Sequence, residues 1–154
     1  MKRDMEAWPE RIDEQLCFAV YTLSHAFTRR YRTALRDTGL TYPRHLVLMA
    51  LTRLGHPTAT ALATELAMDF GTLTPMLKQL ERDQIIMRER TDSDERVVRI
   101  RLTPAGKDLA ERAQRAVAGV VGATGRSLDE LDGIVAELLA IRRNLENAEV
   151  EQSD

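Results

Sequence analysis

Between Thr58 and Leu102 the hydrophobic pattern runs helix, helix, strand, strand, an order more telling than the helix pair or the hairpin alone. Thr58 to Ala67 is a short alanine-rich segment with Leu62 and Leu66 at helical spacing, and Thr72 to Arg82 is a second, with Leu73, Leu77 and Leu80 on one face. Met68-Asp69-Phe70-Gly71 between them reads as a tight turn. Pro75 fits only near the start of the second helix, where the N–H it lacks would have been unpaired anyway. The next segments, Ile85 to Arg90 and Arg96 to Leu102, are strand-like, and in the second Val97, Val98 and Ile100 are set among Arg96, Arg99 and Arg101. The polar run Thr91-Asp92-Ser93-Asp94-Glu95 turns the chain between them. Two short helices joined by a tight turn and followed by a hairpin predict a winged helix-turn-helix, occupying about residues 43–102.

Longer helices flank this core, so the expected fold is mainly α with a small β-hairpin, a single domain over residues 1–154. From Ile12 to Arg36, apolar groups recur at Leu16, Val20, Leu23, Phe27, Tyr31 and Leu35, with Gly39 as the stop. Pro43 suits the first turn of a second helix, which Gly55-His56-Pro57 ends. Thr103-Pro104 is an N-cap with proline at the first helical position, opening a helix to about Gly122. Ser127 with Glu130 forms a capping box at the head of a last helix carrying Leu128, Leu131, Ile134, Leu138, Leu139, Ile141 and Leu145. The stripes of about residues 9–38 and 104–147 either complete one chain's core or pack against a second copy. The second reading is preferred, because most helix-turn-helix readers are dimers on two half-sites about one helical turn apart.

The segment Asp69-Phe70-Gly71-Thr72-Leu73-Thr74-Pro75-Met76-Leu77-Lys78-Gln79 is the candidate recognition helix. Thr72, Thr74, Lys78 and Gln79 offer hydroxyl, ammonium and amide groups of the kind that bond phosphates and base edges in a major groove. The hairpin carries Arg88, Arg90, Arg96, Arg99 and Arg101, and an arginine at a wing can enter a narrow minor groove. Glu89, Asp92, Asp94 and Glu95 dilute that patch, and Asp92 can instead orient Arg96 through a bidentate pair. The plain alternatives are a capped surface helix and an edge strand defended by charge. A net charge of −2 argues against a generic polyanion binder but not against a local basic surface.

Other chemistry is poorly provided for. His25, His45 and His56 lack metal-ligand spacing, and a single cysteine permits neither an intramolecular disulfide nor a structural zinc site. The acids fall on polar helix faces and no glycine-rich phosphate loop appears, so no catalytic group, metal or cofactor is expected. No apolar run approaches the roughly 20 residues of a membrane span. The charged start Met1-Lys2-Arg3-Asp4-Met5-Glu6 has no signal-peptide segment, so the expected location is the cytoplasm.

Cys17 lies in the run Leu16-Cys17-Phe18-Ala19-Val20-Tyr21. A free cysteine most often behaves as a small buried hydrophobe. Here Tyr21, Tyr31 and Tyr42 follow it, and phenols can donate hydrogen bonds that hold a thiolate ionised. Tyr21 lies one turn beyond Cys17, although side-chain direction can keep it away. Tyr31 is ~21 Å along the helix and can reach only a thiol of another copy, in an antiparallel pair of first helices.

These segments resemble the multiple antibiotic resistance regulator (MarR) family of winged-helix regulators, and within it the one-cysteine organic hydroperoxide resistance branch. Leu16-Cys17-Phe18-Ala19-Val20-Tyr21 is similar to the sensing segment, and Leu40-Thr41-Tyr42-Pro43 to the start of the second helix. Gly71-Thr72-Leu73-Thr74-Pro75 with Leu77-Lys78-Gln79-Leu80-Glu81 resembles the recognition helix, and Asp94-Glu95-Arg96 with Leu102-Thr103-Pro104-Ala105-Gly106 the wing and its exit. The resemblance implies a homodimeric repressor, not an enzyme, on a palindromic operator of double-stranded DNA. It implies that Cys17 is the peroxidatic thiol, bonded by Tyr31 and Tyr42 of the partner subunit. Tyr21 would lie near the pocket, with Leu16 and Phe18 forming its apolar wall. An organic hydroperoxide and a small thiol would be the reactants. Phe70 departs from near relatives in the branch, which carry serine ahead of Gly-Thr-Leu-Thr-Pro, and a phenylalanine there can touch a thymine methyl instead. Two other classes stay open: release by a small aromatic or phenolic ligand with the cysteine inert, and a thiol peroxidase.

Overall fold

The structure, a computed structural model, describes residues 11–91 and 94–151, and the side-chain surroundings of residues 91, 94–96 and 149–151 lie outside the description. Among the described residues six α-helices and one hairpin follow in the order α1 (Leu16–Ala34), α2 (Tyr42–Leu54), α3 (Ala59–Leu66), α4 (Phe70–Arg82), β1 (Ile86–Thr91), β2 (Asp94–Leu102), α5 (Pro104–Gly122) and α6 (Leu128–Glu151). The chain divides into two compact units, Met1–Val117 and Ala118–Asp154.

Each break in the first unit has a local cause. α1 contains neither glycine nor proline and stops where a single 3-10 turn, Arg36–Thr38, leads into Gly39 at φ 71°, a left-handed conformation that costs glycine nothing. Pro43 sits in the first turn of α2, and Gly55 at φ 75° ends it. Thr58 caps α3 by accepting from the Ala61 N–H at 3.2 Å. Ala67, also left-handed at φ 49°, turns the chain toward α4.

The start of α4 differs from the sequence expectation. The carboxylate of Asp69 accepts the Thr72 N–H at 2.7 Å and the Thr72 hydroxyl at 2.9 Å, so the helix begins at Phe70 and Phe70-Gly71 are helical, not part of a turn. Pro75 consequently lies inside the helix. The carbonyl four residues back belongs to Gly71 on an exposed turn, where water can take the place of the missing N–H.

The strands pair antiparallel with Ile86 opposite Leu102, Arg88 opposite Ile100 and Arg90 opposite Val98, and they extend to Thr91 and Asp94, shortening the expected turn. The Ile100 N–H donates to the Pro57 carbonyl at 2.9 Å, which fastens the hairpin to the α2–α3 connection. Thr103 ties its base: the hydroxyl donates to the Gln84 carbonyl at 2.7 Å and accepts the Gly106 N–H at 3.0 Å, capping α5 as expected. A Cβ on Gly106 would stand 2.0 Å from the Ile85 carbonyl oxygen, so only glycine fits that crossing. Leu48, Leu51, Leu62, Leu73, Leu77, Leu80, Ile86, Ile100 and Leu102 form the buried centre of this unit. In the second unit, Ser127 and Glu130 make the expected capping box, with the Ser127 N–H donating to Glu130 Oε2 at 2.8 Å. Leu128, Ile134, Val135, Leu138, Leu139 and Leu145 of α6 remain exposed.

Candidate functional site

The α3–α4 pair is a helix-turn-helix whose inner face is Leu62, Leu73, Leu77 and Leu80. That burial leaves Phe70, Gly71, Thr72, Pro75 and Lys78 exposed, and Thr74 and Gln79 half-buried at the flanks. Several polar groups of this surface already have partners. Asp69 and Thr72 hold one another, and the Thr72 hydrogen bonds, backbone first, keep the Asp69 carboxyl below the usual carboxylate range. Gln79 donates to Asp83 at 2.8 Å and accepts from Arg82 at 2.5 Å. Lys78 has no ion pair among the described residues.

The hairpin arginines are less available than the sequence implied. Arg88 pairs with Glu81 at 3.2 Å, Arg101 with Glu89 at 2.6 Å, and Arg99 donates to the His56 carbonyl at 2.9 Å. Arg90 is exposed without an ion pair among the described residues. Asp92 lies outside the described residues, as does the side chain of Arg96, so their expected pairing is not part of this picture.

Cys17 is the second residue of α1 and is exposed, with its sulfur 3.7 Å from Gln15 Oε1. It is therefore not the buried hydrophobe that a free cysteine usually is. Leu16 beside it is exposed and Phe18 half-buried. The Tyr21 ring lies 6.4 Å from that of Phe18 and 4.2 Å from that of His25, on the surface of the same helix.

Tyr31 and Tyr42 come together at the other end of α1, with ring centroids 4.1 Å apart. Burial first, and then the Tyr31 phenol by charge and hydrogen bonding, push the Tyr42 hydroxyl above the usual phenol range. Tyr42 is thus held neutral, the state in which a phenol donates. Along the continuous helix α1, Tyr31 stands ~21 Å from the Cys17 of its own chain.

His45 is a residue whose role the sequence reading missed. It is 1% exposed, its ring centroid is 6.3 Å from that of Tyr31, and its Nδ1 is the one buried side-chain nitrogen or oxygen without a hydrogen-bond partner among the described residues. Burial pushes its pKa down, so the ring is neutral. The signal was present as spacing: His45 falls three residues after Tyr42 and three before Leu48, on the inward side of α2. A cavity of about 630 Å³ lies beside it, lined by Leu48, Met49, Thr52, Leu102, Lys107 and Ala110 among others. No cluster of three or more metal-ligating side chains occurs among the described residues, and none of their helices is long and apolar enough to cross a membrane.

The MarR family pattern matches residues 40–98. The transcriptional regulator TtmR of Methylorubrum extorquens is 41% identical over 137 residues, 89% of this chain and 70% of that one. The organic hydroperoxide resistance transcriptional regulator of Bacillus subtilis is 34% identical over 135 residues, 88% of this chain and 92% of that one. Among solved structures, overoxidised AbfR bound to DNA, a protein of Staphylococcus epidermidis, superposes with a TM-score of 0.72 at 33% identity, covering 88% of this chain and 95% of that one.

Proposed function

The chain belongs to the MarR family of transcriptional regulators, and on that premise we propose that it is a homodimeric repressor released from a palindromic operator when an organic hydroperoxide oxidises Cys17. The observation that carries this reading is the separation of an exposed thiol from a tyrosine pair: Cys17 opens α1, while Tyr31 and Tyr42 meet at the far end. Antiparallel pairing of two first helices brings the thiol of each chain to the phenols of the other. The residues for reading DNA are Phe70, Thr72, Thr74 and Lys78 on α4 and Arg90 on the hairpin, with Asp69 and Gln79 supporting them. The names of the Bacillus and Staphylococcus relatives support a peroxide-sensing, DNA-bound role.

The chemistry balances without a cofactor. The Cys17 thiolate attacks the distal peroxide oxygen, the O–O bond breaks, and the alkoxide leaves and takes a proton to become an alcohol. The sulfur, now a sulfenic acid, condenses with a small thiol to give a mixed disulfide and water. The added group displaces the phenols and disturbs the pairing of first helices, so the two recognition helices leave half-site register. A hundredfold loss of operator affinity requires only ~2.7 kcal/mol, within reach of a few lost contacts. One oxidation is consumed per release, which makes the protein a switch and not an enzyme.

In a gel shift, Cys17→Ser is expected to bind operator as the parent does and to stay bound after cumene hydroperoxide and thiol treatment that releases the parent. Intact mass of the same samples should show the thiol adduct on the parent alone. A variant that still leaves the operator on oxidation would reject the thiol switch. The cavity beside His45 favours a second reading, release by a small aromatic or phenolic ligand. That reading predicts release of Cys17→Ser by ligand with no change of mass.

A further inference from the structure

Phe70 is 52% exposed at the first position of α4, and no other aromatic ring touches it among the described residues. Exposure of so large an apolar group forfeits the gain its burial would bring, a gain that contact with an apolar group of a partner would restore. Its surroundings bear on what it can meet. Both oxygens of Asp69 are occupied by Thr72, and the Thr72 hydroxyl donates to Asp69. Position 71 is glycine and presents no side chain, and a Cβ there would stand 3.0 Å from Asp69 Oδ1, a tight contact. The first turn of α4 therefore projects one side chain that is not engaged by its neighbours, and that side chain is a phenyl ring.

In a helix-turn-helix the first residues of the recognition helix face base edges in the major groove. The major groove offers one apolar feature, the C5-methyl group of thymine. We propose that Phe70 is a specificity-determining residue whose ring packs on the methyl of a thymine in each half-site, so that the protein reads a methyl group at one symmetric pair of positions. The inference rests on the DNA-reading function proposed above and adds which base the start of α4 selects. A ring cannot hydrogen-bond a base edge, so the selection acts through the methyl alone and tolerates any pyrimidine that carries one.

The test replaces the methyl and nothing else. Duplexes are selected from a random pool by the full-length protein, and thymines of the recovered site are exchanged for deoxyuridine one symmetric pair at a time. At one pair, fluorescence anisotropy should show affinity falling about fifteenfold, about fourfold for each methyl lost. Phe70→Ser should bind the thymine and deoxyuridine duplexes alike, and Phe70→Leu should keep part of the difference. Equal affinity for thymine and deoxyuridine at every pair would overturn the inference while leaving DNA reading intact, and so would a methyl preference undiminished in Phe70→Ser. A pool from which no duplex is enriched would remove the DNA-reading function and this inference with it.

Discussion

The stretch from α2 to β2 and the helix α1 carry similar apolar stripes and end differently. In the first, Leu48, Leu51, Leu62, Leu73, Leu80, Ile86 and Ile100 all find cover within one chain. In α1 no residue is buried, and Leu16, Val20 and Leu23 remain 49%, 42% and 49% exposed. Helical spacing of apolar residues establishes that a face is to be buried, not which chain buries it. The uncovered stripe of α1 is the surface we propose for association with a second copy. The first region is closed within one chain, whereas the openness of α1 leaves the Cys17 thiol exposed.

The largest effect is expected where the open region is attacked. Leu23→Asp places a charge in the stripe of α1, and association of two copies should weaken at least about a hundredfold, about 3 kcal/mol. Sedimentation should then give the mass of one chain, and an unchanged dimer would show that α1 is not the association surface. In the closed region the sharpest intervention is Gly106→Ala, since the new Cβ would meet the Ile85 carbonyl oxygen at 2.0 Å. Urea unfolding should show a loss of about 3 kcal/mol. Full tolerance of alanine would mean that the hairpin base is looser than described. The smallest effect concerns His45, whose pKa burial lowers in the folded state. A depressed value means that the unfolded chain binds the proton more readily. Stability from this group is therefore present above about pH 6.5, the ordinary histidine value, and is lost as the pH falls through the folded one. Thermal melts across that range should slope for the parent and flatten for His45→Leu, and equal slopes would assign the acid sensitivity elsewhere.

Helix order, the hairpin and the capping box at Ser127 were legible because each follows from local chemistry: periodicity, proline placement and short-range hydrogen bonds. The beginning of α4 was misread by two residues. Phe70 and Gly71 read as part of a turn and Pro75 as lying near the helix start, yet the Asp69 carboxylate on the Thr72 N–H begins the helix at Phe70. The hairpin arginines read as a basic patch because their counterions are supplied by the fold: Arg88 meets Glu81 across the α4–β1 connection, and Arg101 meets Glu89 across the hairpin. Tyr31 and Tyr42 were singled out by type, but their meeting depends on the turn at Gly39 that folds α2 back beside α1, which spacing alone does not give. His45 was passed over for lack of metal-ligand spacing, when its position on the inward face of α2 was the informative fact.

The central claim, that the thiol of one chain works with the phenols of another, is tested most directly by mixed dimers. Cys17→Ser chains are combined with chains carrying Tyr31→Phe and Tyr42→Phe, and the rate of sulfenic acid formation with cumene hydroperoxide is measured. Each variant alone lacks a complete site. In the mixed dimer the remaining thiol faces the intact tyrosines of the other chain, so oxidation should recover the parent rate per thiol. A mixed dimer that oxidises no faster than the double phenylalanine variant would contradict the account.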